Sequence, residues 1–289
     1  MEIAARLPCE LISVDSAMIY RYMNIGTAKP EQDILTQVPH HLIDILDPTE
    51  SYSAAQFCAD ALTHMKDISM RGKIPLLVGG TMLYFKALAT GLSDLPEAHP
   101  QTREVIDAMA KESGWPTLHR ELARLDPTTA ARVEVSDVQR IQRALEVYYL
   151  TGKPMSEIIR DNPGNELPYR LTRIALIPSD RAVLHQRITQ RFDAMLKAGL
   201  IDEVNHLRSR YALKANMPAM RCVGYRQSWE YLEGEYDRSA LREKGIAATR
   251  QLAKRQLTWL RSTADVHEFD SLAPRLNMQV IDLIREVLA

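Results

Sequence analysis

The chain has 289 residues, of which 46% are hydrophobic and 25% charged, with a formal net charge of −1; this excludes a disordered chain and suits one large domain or two of ordinary size. Its longest mainly apolar stretch, Ile74 to Phe85, is interrupted by Gly79-Gly80 and is too short to span a bilayer, so no membrane partner is expected. No basic segment followed by an apolar run opens the sequence, and Cys9, Cys58 and Cys222 form no C-x-x-C pair, which together predict a cytoplasmic protein with reduced thiols. The near-zero charge conceals an asymmetry. Between Arg170 and Arg261 lie 18 Lys/Arg against 9 Asp/Glu, and a basic segment on a neutral chain suggests a localised anionic partner such as nucleic acid. A solvated helical surface is the alternative that the count leaves open.

In chain order, Glu2 to Leu7 read as the last turns of a helix feeding a buried strand over Cys9–Val14. A second strand is predicted over His41–Leu46 and a third over Ile74–Val78. Between them a helix runs from about Ser53 to Arg71, with Ser53 placed to cap it and Gly72 after its last turn. Strand, helix and strand make a βαβ unit, which implies a parallel α/β sheet. From about Pro96 to Tyr169 the periodicity is helical, and the clearest helix starts at Ser136-Asp137 with Ile141, Ala144, Leu145 and Tyr148 on one face. The sheet is expected to resume at Arg173–Ile177, with Ser179-Asp180 capping the next helix. The predicted organisation is therefore a core formed by residues 1–95 and 170–289, with an inserted helical domain over 96–169. Near the C-terminus a basic helix places Arg250, Lys254 and Arg261 on one face, while Ala253, Leu257 and Leu260 pack inward.

Asp15 follows a strand at the carboxyl edge, where open α/β sheets collect ligands. An isolated V-D-S would more often be a turn, but the surrounding text is long and unusual. It comprises Val14-Asp15-Ser16-Ala17-Met18-Ile19-Tyr20, Asn24-Ile25-Gly26-Thr27-Ala28-Lys29-Pro30, His40-His41-Leu42-Ile43-Asp44, and Leu77-Val78-Gly79-Gly80-Thr81-Met82-Leu83-Tyr84. Further on come Gln139 to Arg143, Arg221-Cys222-Val223-Gly224-Tyr225-Arg226-Gln227, and Lys254-Arg255-Gln256-Leu257-Thr258-Trp259-Leu260-Arg261. In this order the segments resemble the tRNA dimethylallyltransferase family, also called isopentenyl-diphosphate:tRNA transferases, over essentially the whole chain. The adjacent His40-His41 reads as structural, since no cysteine or carboxylate spacing supports a metal site.

The resemblance implies a P-loop NTPase-like fold with helices on both faces of a parallel sheet. It also implies transfer of a dimethylallyl group from its diphosphate to N6 of an adenine beside the tRNA anticodon. An exocyclic amine must lose a proton as the bond forms, and Asp15 suits the acceptor; Thr81 and Arg191 join it as implied catalytic residues. Ser16, Ala17, Met18 and Thr81 are expected to wall the adenine pocket. Arg187 and Arg191, four apart on one helix, are expected on the diphosphate with Mg²⁺. Implied tRNA contacts are Arg103, Gln139, Arg140, Ile141, Gln142 and Arg143; then Arg221, Cys222, Val223, Gly224, Tyr225 and Arg226; then Lys254, Arg255, Gln256, Leu257, Thr258, Trp259, Leu260 and Arg261. A monomer is expected. Family members carry a G-x-T-x-S-G-K-[ST] phosphate loop, after a first strand, that this sequence lacks. The expectation is an N-terminally truncated, inactive and aggregation-prone fragment; a tRNA-binding remnant or a free-adenylate isopentenyltransferase are the alternatives.

Overall fold

A computed structural model describes residues 1–162, 164 and 167–288. They form two compact units, one of residues 1–85 with 170–289 and the other of residues 86–169.

In the first unit, helical turns over residues 1–7 lead into β1 (Cys9–Val14), whose six residues are all buried. After a loop come α1 (Gln32–Gln37), β2 (His40–His41), α2 (Ala54–Met70) and β3 (Ile74–Gly79). β1 lies between β2 and β3 with both pairings parallel, in a register that sets Cys9 opposite Ile74 and Val14 opposite Gly79. α2 starts at a reciprocal cap: Gln56 N–H donates to Ser53 Oγ at 3.1 Å and Ser53 N–H to Gln56 Oε1 at 2.8 Å. It ends before Gly72, whose φ of +69° is easy only for glycine. α3 (Met82–Thr90) follows β3 and runs into the second unit.

The second unit is helical, with α4 (Pro100–Ser113), α5 (Trp115–Leu125), α6 (Pro127–Ala130), α7 (Val138–Thr151) and α8 (Met155–Asp161). Asp137 caps α7 through the Arg140 N–H, and Ile141, Ala144 and Leu145 enter a core with Ile106, Leu118 and Leu122. The face predicted for this helix is the one it buries.

The chain then returns to the first unit through β4 (Arg173–Ile177), α9 (Arg181–Lys197), α10 (Leu200–Arg210), a 3₁₀ turn (Ala219–Arg221), α11 (Tyr225–Leu232), α12 (Arg238–Arg261), β5 (Val266–Asp270) and α13 (Leu276–Leu288). Asp180 caps α9 and Asp237 caps α12. α9 and α12 cross closely at Gly245, where an added Cβ would lie 1.9 Å from the Phe192 ring. Ile188, Phe192, Leu200, Val204, Tyr225 and Ile246 form a core with Ile19, Tyr20 and Met23 from the loop after β1.

Two strand expectations are corrected. The strand over His41–Leu46 shrinks to His40–His41, because Leu42 and Asp44 take φ of +64° and +56°, which breaks the pleat. β4 does not rejoin the first sheet among the described residues; it pairs in parallel with β5, a strand the sequence reading missed. The run Val266-His267-Glu268-Phe269-Asp270 has too many charges to resemble the apolar strands before it. Val78 of β3 and Leu176 of β4 are accordingly 48% and 52% exposed.

Two carboxylates organise this unit away from hydrophobic contacts. Glu10, buried at the amino end of β1, accepts from Lys73 Nζ at 2.9 Å, Arg71 Nη2 at 2.7 Å and the His41 ring at 2.8 Å. His41 also lies against His64, with ring centroids 4.5 Å apart, and the His40 ring lies 2.7 Å from the Val38 carbonyl, so both histidines of the pair are engaged within the protein. Hydrogen bonding from Lys73 holds the Glu10 carboxyl at about 2, with His41 and Arg71 acting in the same direction. Glu203, in the first turn of α10, binds the other end of the loop after β1. Its Oε2 accepts from Asn24 N–H at 3.0 Å and Ile25 N–H at 2.8 Å, and its Oε1 from Gly26 N–H at 3.3 Å and the Tyr225 hydroxyl at 2.5 Å. Gly26 lets the loop come this close, since a Cβ there would lie 2.4 Å from the Tyr225 ring.

A folded-state value near 2 against an ordinary 4.5 means that the Glu10 contribution is complete above pH 4.5 and is lost as pH falls toward 2. Glu10→Gln is expected to lower stability at pH 7 by about 1–3 kcal/mol and to flatten the loss of stability over that acid window, read by denaturant melts at several pH values. Glu203→Ala removes an acceptor shared by four donors; a loss of about 2–4 kcal/mol is expected, with amide exchange of Asn24–Gly26 rising more than that of α2.

Candidate active site

The site is built where β1 and β3 end. Asp15 Oδ1 accepts from Ala17 N–H at 2.8 Å and Met18 N–H at 3.3 Å, an Asx turn that fixes the carboxylate immediately beyond the strand. Oδ2 accepts no hydrogen bond among the described residues, so one carboxylate oxygen is anchored and the other available. Thr81, just past β3, ties the two strand ends together. Its N–H donates to the Val14 carbonyl at 3.1 Å, and its hydroxyl accepts from Ser16 N–H at 3.0 Å and donates to Ser16 Oγ at 3.2 Å.

Gly79 before Thr81 is needed for close approach to backbone, while Gly80 meets only the end of the Gln256 side chain. A Cβ on Gly79 would lie 2.1 Å from the Val14 carbonyl oxygen, and one on Gly80 would lie 2.2 Å from Gln256 Nε2. Gln256 instead donates to the Gly80 carbonyl at 2.9 Å, which brings α12 to the rim of the site. Groups near Asp15 stay protonated. Burial, assisted by the charge of Asp15, pushes both the Cys222 thiol and the Tyr84 hydroxyl up to about 12. That disfavours Cys222 as a nucleophile.

The two arginines of α9 separate. Arg191 Nη2 donates to the Thr27 carbonyl at 3.4 Å, on the loop that Glu203 clamps. Arg187 instead lines a cavity of about 210 Å³ with Leu176, Pro178, Leu184, Gln256, Leu257 and Leu260. Both arginines are exposed. On α12, Lys254, Arg255, Thr258 and Arg261 face solvent, while Ala253, Leu257 and Leu260 face the cavity as the periodicity predicts; Trp259 is half-buried and engaged within the protein.

In the segment after α10, Arg221 and Arg226 are exposed and Cys222 and Val223 half-buried, but Gly224 and Tyr225 are buried. Tyr225 packs against Gly26 and donates to Glu203, so its expected contact with tRNA gives way to a packing role.

In the second unit several of the expected contact residues have partners within the protein. Glu146, 0% exposed, accepts from Arg103 Nε at 2.8 Å and Nη2 at 3.1 Å, from Arg143 Nη1 at 2.6 Å and from His99 N–H at 2.8 Å. Arg143 also donates to the Pro96 carbonyl at 2.6 Å. Arg103 and Arg143 are thus committed to neutralising a buried carboxylate. Ile141 is in the core, Gln142 donates to Asp107 at 2.6 Å, and Arg140 pairs with Asp137 at 3.2 Å. Gln139 is exposed and holds an interaction within the protein.

Sequence reasoning missed Glu203 altogether. Its only signal is an acidic residue in a helix first turn after Gly199, a pattern that usually marks a helix-dipole contact. Lys29 and Asp44 stand in the sequence as motif letters without a role, yet they form an ion pair whose lysine is buried and whose aspartate is partly exposed: Lys29 Nζ lies 2.5 Å from Asp44 Oδ1 and 2.8 Å from the Tyr20 carbonyl. Among the described residues there is no group of three or more His, Cys, Asp or Glu able to hold a metal ion, and no helix long and apolar enough to cross a membrane.

A family model described as IPP transferase matches residues 18–263. A tRNA dimethylallyltransferase of Azoarcus sp. strain BH72 is 60% identical, the alignment covering 100% of this chain and 91% of that protein. The one from Nitrosomonas eutropha is 56% identical, over 99% of this chain and 90% of its own length. Among solved structures, the tRNA isopentenylpyrophosphate transferase of Bacillus halodurans shares 36% identity with a TM-score of 0.69, covering 99% of this chain and 89% of that one. A eukaryotic dimethylallyltransferase acting on tRNA superposes with a TM-score of 0.83 at 24% identity, covering 99% of this chain and 75% of its own, a likeness of fold. With a family model spanning most of its length and relatives above half identity across nearly all of it, this chain belongs to the tRNA dimethylallyltransferase family.

Proposed function

We propose that the protein transfers a dimethylallyl group from dimethylallyl diphosphate to N6 of an adenine beside the anticodon of tRNA. The observation that carries the reading is the half-anchored Asp15 carboxylate, held at the carboxyl edge by two backbone amides on Oδ1, with no hydrogen bond to Oδ2 among the described residues. As N6 attacks the allylic carbon, the C–O bond to diphosphate breaks and the N6 proton passes to Asp15 Oδ2. The target base must leave its stack to reach this edge, and the Ser16 and Thr81 hydroxyls supply polar partners for an extruded base.

Charge growing on the departing diphosphate needs fixed cations. Arg191 uses one Nη2 contact on Thr27, so the rest of its guanidinium fork suits phosphate oxygens. The exposed Lys254, Arg255 and Arg261 of α12 suit the RNA backbone. Mg²⁺ commonly binds one or two carboxylates together with substrate phosphates. The described residues hold no cluster of three or more acidic, His or Cys groups to carry it.

Asp15→Asn keeps an acceptor for the Ala17 and Met18 amides but removes the base. It is expected to lower prenyl transfer to tRNA by roughly 10²–10⁴-fold with RNA affinity unchanged, measured by radiolabelled transfer and filter binding; undiminished turnover removes Asp15 as proton acceptor. Replacing Lys254 and Arg261 together by Ala should weaken binding of different RNA sequences alike and reduce the slope of log affinity against log salt by roughly 1.4–1.8. An unchanged slope places the RNA elsewhere.

A further inference from the structure

We propose that Lys29 is a positioning residue for the Asp15 carboxylate, acting through the ion pair of its buried ammonium with the partly exposed Asp44, whose backbone holds the far side of the Asp15 turn. The proposal rests on the reading of Asp15 as proton acceptor.

Lysine normally lays its stem on the surface and keeps its ammonium in water. The Lys29 side chain is only 3% exposed, with its Nζ enclosed by the Asp44 carboxylate and the Tyr20 carbonyl. Burial pulls this ammonium below its usual range, and the negative charges of Asp44, Glu203 and Asp15 oppose that pull. If only volume were required, an apolar side chain would fill the position without that desolvation cost.

Asp44 connects the pair to the site. With φ at +56°, it turns its N–H to the Met18 carbonyl at 3.2 Å, and the next residue, Ile45, donates to the Ile19 carbonyl at 2.9 Å. The Met18 N–H in turn donates to Asp15 Oδ1. Met18 is thus held at both polar groups, and the contacts run unbroken from Lys29 through Asp44 and Met18 to the catalytic carboxylate. Without the ammonium, Asp44 loses the charge that holds its side chain, and the turn that aims Asp15 Oδ2 loses its outer support. The cost should fall on the chemical step, because displacement by a fraction of an ångström misaligns the acceptor while leaving RNA-binding surfaces in place.

The test uses the full chain and its Lys29→Met, Lys29→Arg and Asp44→Asn variants. NMR-resolved amide exchange in Lys29→Met is expected to quicken roughly tenfold at Ala17 and Met18 while β1 and β3 keep wild-type rates. Lys29→Arg should restore most of the protection, and Asp44→Asn should behave like Lys29→Met. In turnover with tRNA and dimethylallyl diphosphate, Lys29→Met should lose about 10–100-fold in kcat with an unchanged KM for RNA. Wild-type exchange at Ala17 and Met18 overturns the proposal. So does acceleration spread equally through β1 and β3, which marks a general stabiliser, or a wild-type kcat. Turnover left undiminished in Asp15→Asn overturns the reading of Asp15 instead, and the exchange measurement still decides whether Lys29 holds the turn.

Discussion

The loop between β1 and α1 carries most of what the site needs, and it has little regular structure to hold it. Glu203 supplies the constraint. One carboxylate accepts three successive backbone N–H groups and a buried tyrosine hydroxyl, which satisfies polar groups that a tight loop would otherwise leave unpaired. Successive amides of this kind form an anion-binding concavity. Here the protein's own carboxylate fills it, so these amides are not available for a substrate phosphate. The same fixation places the Thr27 carbonyl where Arg191 meets it, so the clamp on the loop also orients a cation on α9.

The catalytic edge follows from how closely two strands end together. Gly79 abuts the Val14 carbonyl with no room for a side chain, and Thr81 then reaches back across the gap to Ser16. Gln256 closes on the Gly80 carbonyl from α12, so the helix that displays exposed cations is fixed to the same glycine turn. The motifs Val14-Asp15-Ser16, Gly79-Gly80-Thr81 and Lys254-Arg255-Gln256 are far apart in sequence and meet at one rim.

Much of this was legible from side-chain patterns. β1, β3 and β4 were apparent because each is a short apolar run, and α2, α7 and α9 because Ser53, Asp137 and Asp180 are strong caps. β5 was hidden by its alternating charges, and β2 was overextended because nothing in Leu42-Ile43-Asp44 announces left-handed backbone at non-glycine positions. At the site, Asp15 and Thr81 sit together as their motif order implied, and the inward face of α12 was read correctly. What the motifs do not announce is internal pairing: Arg103 and Arg143 bind the buried Glu146, and Tyr225 binds Glu203. The Tyr225 and Arg103 partners lie more than 20 and about 40 residues away, which no local pattern encodes, whereas the Arg143–Glu146 pair is a local i,i+3 contact on α7.

β1 carries a carboxylate at its amino end and has another immediately beyond its carboxyl end, and the two are treated in opposite ways. Glu10 is held by two cationic partners and the His41 ring, whereas Asp15 is held through one oxygen by uncharged amides. A single strand therefore separates a carboxylate used as masonry from one that keeps an oxygen without a hydrogen bond among the described residues. Isotope-edited infrared spectroscopy would find the first band insensitive to a bound base and the second responsive to it, making the strand its own internal standard for occupancy of the site.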